Sequence, residues 1–142
     1  MKEIILINIA GDDKPGLTSS VTEILAGYDV NILDIGQAVI HDTLSLGILV
    51  EVPASAESSP LLKDILFRTH ELGFSVRFSP ISEQSYGQWV MGQGKQRHIV
   101  TLLARMITAE HLSAVTAVVA HNKLNIERIN RFSGRVSLDG VQ

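Results

Sequence analysis

Cysteine is absent from all 142 residues, which removes a disulfide framework and any thiolate metal site. Basic runs are absent as well. The 12 Lys and Arg are spread along a chain of formal net charge -3, so no block exists to neutralise a row of phosphates, and nucleic acid is not expected as a partner. Long apolar runs are missing too. The longest, such as Ile4 to Ile7, fall far short of the roughly 20 residues a bilayer span requires, and Met1-Lys2-Glu3 leads into a strand-length run rather than a signal peptide. The expectation is no membrane partner and a cytoplasmic address. What the chain does have is 45% hydrophobic residues, ample for a core in one ordinary domain or two small ones.

Glu3 to Ala10 is rich in β-branched residues and is ended by Gly11. After Asp12-Asp13-Lys14-Pro15-Gly16 the period changes, and Leu17, Val21, Ile24 and Leu25 fall on one helical face closed by Gly27. Val30 to His41 and Thr43 to Val52 read as strands joined tightly at His41-Asp42, the second alternating through Leu44, Leu46, Ile48, Val50 and Val52. Leu61, Leu62, Ile65, Leu66, Thr69 and Leu72 then make a helix stopped by Gly73, followed by a strand with Phe74, Val76 and Phe78 on one side. The order βαββαβ is the ferredoxin-like arrangement of the α+β class, with both helices on one face of a four-stranded antiparallel sheet. Its first strand, Ile4-Ile5-Leu6-Ile7, is apolar on both faces, so the open face needs a cover, and a second copy is the expected one.

A shift of 94 residues lays Ile5 to Ile9 on Ile99 to Leu103, Val21 and Leu25 on Val115 and Val119, and Val30-Asn31-Ile32 on Leu124-Asn125-Ile126. This is an internal repeat whose second copy is cut off before its last helix and last strand. The expected division is a complete unit at 1–81, a linker at 82–96 and a partial βαβ unit at 97–142. The linker is rich in Gly, Gln and Ser, and its Tyr86 and Trp89 suggest that part of it packs.

The loop Gly11 to Thr18 spells G-x-x-x-x-G between strand and helix, where a phosphate loop would sit. It then fails, since Leu17 holds the Lys position and Pro15 removes an amide. Two readings stay open. Asp13 can cap the helix, Pro15 suits its first turn, and nothing more is needed; or Gly16 lets a carboxylate ligand approach the positive helix end. At the 94-residue shift the second unit has Ile107, Ala109 and Glu110 in place of Asp13, Pro15 and Gly16, so only the first unit has the loop. Thr108 reads as the N-cap of a helix running to about Asn122.

Asp13-Lys14-Pro15-Gly16-Leu17, in this element order and with Val30-Asn31-Ile32 opening the second strand, resembles the ACT domain, an amino-acid-sensing module of metabolic enzymes. The stretches Leu44 to Val50, Trp89 to Arg105 and Arg128 to Arg135 narrow the resemblance to the N-terminal tandem ACT region of long bacterial phosphoserine phosphatases. That resemblance implies a ligand site at Asp12, Asp13, Lys14, Pro15, Gly16, Leu17 and Asn31, with a small amino acid, serine favoured, as ligand. It also implies a homodimer through the ACT sheets and a C-terminal haloacid-dehalogenase-type domain that hydrolyses O-phospho-L-serine with Mg²⁺. The nucleophile of that domain lies in D-x-D-x-T, and no D-x-D occurs here, so the chain is expected to be non-catalytic and to carry no cofactor. The alternative is a stand-alone two-ACT regulator resembling the glycine-cleavage transcriptional repressor. Asn31 recurs as Asn125, and an edge or turn hydrogen bond is its other reading.

The five His show no close ligand spacing, and neither a G-x-S-x-G elbow nor a metal motif is present. Arg128, Arg131 and Arg135 form a small basic cluster, either a solvated face or a contact for an acidic partner.

Overall fold

The computed structural model describes residues 2–54, 56–92 and 98–130. The chain divides into two compact units, Met1–Gln96 and Arg97–Gln142. The first contains β1 (Glu3–Asp12), α1 (Leu17–Ala26), β2 (Asn31–Ile40), β3 (Thr43–Val52), α2 (Ser59–Glu71), β4 (Ser75–Ile81) and α3 (Glu83–Gly92). Its sheet is antiparallel throughout, in the order β2-β3-β1-β4. This is the expected ferredoxin-like α+β fold. No helix among the described residues is long and apolar enough to cross a membrane.

The two periods of the sequence build the core. Alternation in β3 turns Leu44, Leu46, Ile48, Val50 and Val52 to one side, where they meet Ile5, Ile7 and Ile9 of the central strand β1. The helical period brings Leu17, Val21 and Leu25 of α1 and Leu61 and Ile65 of α2 onto the same side, and the two helices touch each other. Each such side chain contributes roughly 1.5–3 kcal/mol on burial. Thr69 of α2 is buried among them, and its hydroxyl donates to the Ile65 carbonyl at 2.8 Å, which removes the cost of an unpaired polar group. On the opposite side of β1, Ile4 is buried outside this cluster and Leu6 is half-buried, while Asn8 and Ala10 are exposed. The second apolar face of β1 is therefore confined to its first residues.

β1 runs to Asp12, two residues beyond the expected end at Ala10. Gly11 pairs with Leu44 and Asp12 with Thr43, because the ladder to β3 continues through the glycine. The hairpin closes at His41-Asp42, with His41 at φ 56, and Ile40 and Thr43 pair at its base. In the segment expected as a linker, residues 83–92 are helical. Ser82 starts this helix by accepting from the Ser85 amide at 3.0 Å, and the rings of Tyr86 and Trp89 lie 5.8 Å apart one turn on.

The second unit departs from expectation. Among its described residues only α4 (Ala109–His121) is regular, and neither flanking segment, 98–104 nor 124–130, forms the strand expected of a βαβ unit. In the first unit β1 and β2 do not pair with each other; β3 lies between them. Ile5 and Ile9 of that sheet are 5% and 1% exposed, and their counterparts Ile99 and Leu103 are 91% and 88% exposed. Arg131 and Arg135 of the basic cluster lie outside the described residues.

Candidate functional site

The turn between β1 and α1 is held at three points. The Asp13 amide donates to the Asp42 carbonyl of the hairpin at 2.6 Å, which draws the β2–β3 turn against the loop. Lys14 reaches away, its Nζ 5.3 Å from the centre of the Phe74 ring, a cation–π contact with the start of β4. Gly16 is the N-cap of α1 at φ 99, a left-handed conformation that a residue with a β-carbon enters only at a cost.

Among the described residues no side chain caps α1, and its first turn holds no acidic residue. Asp13, expected as the cap, does not serve as one, and Pro15 precedes the N-cap instead of entering the first turn, because the left-handed Gly16 delays the helix to Leu17. The first intrahelical bond is Ser20 N–H to the Gly16 carbonyl at 2.9 Å, so the amides of Leu17, Thr18 and Ser19 lie ahead of the ladder at the positive end of the helix dipole. α4 is built the other way. Thr108 accepts from the His111 amide at 3.3 Å while His111 Nδ1 accepts from the Thr108 amide at 3.1 Å, a reciprocal cap that uses up those donors.

The residues that carry these amides line a groove of about 330 Å³, together with the rest of the loop from Asp13, Gln37 and Leu44. Thr18 Oγ1 donates to Gln37 Oε1 at 2.5 Å, tying the helix start to β2. Gln37 pairs with Leu46, a core residue, and so lies on the helix-covered side of the sheet at its edge. Sequence reading missed Gln37. Its signal was a polar residue in the alternation Ile35, Gln37, Val39 of a strand whose partner is apolar at every core-facing position.

Of the expected site residues, Asp13 to Leu17 line this groove, and Asp12 ends β1 beside Thr43. Asn31 is elsewhere. It pairs with Glu51, which also pairs with Ile4 at the start of β1, whereas the loop end of the sheet is marked by Asp12 and Ile40, both opposite Thr43. A ten-residue strand of about 3.3 Å per residue separates Asn31 from the loop of its own chain. Its Nδ2 donates to Glu51 Oε1 at 2.9 Å, and Lys2 lies 3.6 Å from the other Glu51 oxygen. Among the described residues no cluster of three or more His, Cys, Asp or Glu is placed to hold a metal ion.

Residues 3–79, from β1 to β4, match the ACT domain family. The chain belongs to that family. The ACT chain is 35% identical over 133 residues to phosphoserine phosphatase SerB2 of Mycobacterium tuberculosis, covering 93% of this chain and 31% of that protein. It is 30% identical over 129 residues to a phosphoserine phosphatase of Streptomyces coelicolor, covering 91% of this chain and 30% of that protein. The chain thus spans about a third of the length of these relatives. Among solved structures, a protein of unknown function from Galdieria sulphuraria shares the fold with a TM-score of 0.58 at 16% identity, covering 87% of this chain and 66% of that one.

Proposed function

We propose that this ACT chain is the amino-acid-sensing part of a phosphoserine phosphatase and that its ligand is a small L-amino acid, with L-serine, the product of such an enzyme, favoured. One observation carries the reading. An uncapped helix start lines a groove, in a chain that resembles two phosphoserine phosphatases along nine-tenths of its length. The ligand carboxylate faces the amides of Leu17, Thr18 and Ser19, where both the dipole and the free N–H groups favour negative charge. Hydrolysis of phosphoserine, with its Mg²⁺, belongs to a haloacid-dehalogenase-type domain outside these residues.

The ammonium group is taken by Asn31 of a second copy. β2 is an edge strand, and antiparallel pairing of two β2 strands about a two-fold axis lays the first residues of one beside the Gln37 half of the other. Because Asn31 Nδ2 is engaged by Glu51, its Oδ1 remains to accept from an ammonium. A ligand of this size binds in the micromolar to millimolar range, on the order of 4–8 kcal/mol.

Calorimetry with serine, glycine and alanine tests the site against Ser19→Asp. Aspartate in the first turn stabilises α1 by about 0.3–1 kcal/mol while repelling a ligand carboxylate. The expected result is serine binding by the wild type and none by a variant that melts at an equal or higher temperature. Absence of binding at millimolar serine, or unimpaired binding by the variant, makes the loop a helix start and nothing more. The purified chain with Mg²⁺ is also expected to turn over no O-phospho-L-serine, and turnover above background would place catalytic groups within it.

A further inference from the structure

The polar side chains on the groove differ in what they have left to give. Lys14 points its ammonium at Phe74, and the carboxylate of Asp13 only accepts. Thr18 spends its hydroxyl proton on Gln37 Oε1. That bond holds the Gln37 amide with its Oε1 toward Thr18. With Oε1 held by Thr18, Nε2 carries two donors that make no hydrogen bond to protein among the described residues. Leu17 and Leu44, both buried, also line the groove.

We infer that Gln37 is the specificity-determining residue of the groove, its Thr18-oriented amide reading a hydrogen-bond acceptor on the ligand's side chain and so selecting a hydroxyl-bearing small amino acid over an apolar one of equal size. This rests on the amino-acid-binding reading above and adds the discriminating group to it. An apolar ligand leaves the Gln37 amide to water, so it binds through its carboxylate and ammonium alone. Ser19, the other hydroxyl on the groove, lies exposed in the first turn of α1, and no neighbour among the described residues orients it the way Thr18 orients Gln37.

The experiment is calorimetry of L-serine and L-alanine with the full chain as wild type, Gln37→Met and Ser19→Ala. Methionine keeps the length of glutamine and removes the amide. The wild type is expected to prefer serine by roughly tenfold, the worth of one hydrogen bond to a partly exposed group. Gln37→Met brings the ratio to about one with alanine affinity unchanged, and Ser19→Ala keeps the wild-type ratio. A ratio that persists in Gln37→Met, or that collapses in Ser19→Ala instead, overturns the assignment. Loss of alanine binding in Gln37→Met overturns it too, because the residue then only holds the helix start. If the wild type binds neither amino acid, the underlying reading fails and the inference falls with it, an outcome distinct from binding with no role for Gln37.

Discussion

A β-carbon built on Gly11 would lie 2.5 Å from Cδ1 of the Phe74 ring, closer than two carbons can approach, and Phe74 is itself buried in the core. The glycine is there for the ring, and the ring in turn carries the Lys14 contact that draws one side chain of the loop away from the groove. Gly11→Ala is therefore expected to cost about 1–3 kcal/mol, the usual penalty for overpacking. Chemical denaturation reads this as a lower midpoint at unchanged slope, and a midpoint within error of wild type would show that Phe74 moves aside freely. Gly16 presents the opposite case. A β-carbon there meets nothing within 4 Å, so the residue is demanded by its φ of 99 and not by crowding, and a Gly16→Val variant would mix backbone strain with any effect on a ligand. For that reason Ser19→Asp is the sharper probe of the site.

The two helices that cover the sheet are joined by a side-chain hydrogen bond. Tyr28, just past α1, donates its phenolic proton to the Asp64 carboxylate on α2, and this hydrogen bond, with smaller contributions from desolvation and the aspartate charge, raises the tyrosine pKa above its ordinary value. A raised folded pKa means that the bond's contribution is present in full below about pH 10, the unfolded value, and is lost as pH climbs through the folded one. In an absorbance titration Tyr28 is expected to ionise later than a free tyrosine, and Asp64→Asn to bring it back. An unchanged curve in Asp64→Asn would show that the two helices are not linked through this pair. The helices also differ at their starts, where α4 spends its first donors on the Thr108–His111 cap and α1 leaves them open. The open start is the more useful one for binding a carboxylate.

At the scale of the molecule, β2 is one of the two edge strands of the sheet among the described residues and is the edge proposed above to meet a second copy. Ile32, Ile35 and Ile40 are exposed along it, and the register shift between Ile32 and Asp34 is the one irregularity in its pairing with β3. The chain is expected to self-associate through β2, and Ile35→Lys, which places a charge on that edge, is expected to give a monomer in sedimentation at tens of micromolar, roughly the range where weak dimers dissociate. A wild-type chain that sediments as a monomer at that concentration would mean that β2 is not a homodimer edge and that Asn31 cannot complete the groove.

The hydrophobic periods by themselves determined the order βαββαβ, the hairpin at His41-Asp42, the core-facing residues of β3 and the Thr108 cap, because each depends on neighbours close in sequence. The place of the loop from Asp13 to Leu17 was legible too, since its glycine and proline constrain the backbone locally, but not its capping, because the left-handed Gly16 starts the helix in place of Asp13. Tertiary structure decided what depends on distance between elements. It tied Gln37 to Thr18 across 19 positions of chain, and it put Asn31 at the far end of the sheet from the loop with which sequence had grouped it. Repetition of the apolar pattern at 94 residues did not by itself make strands of 98–104 and 124–130, because a strand needs a hydrogen-bonding neighbour as well as a period.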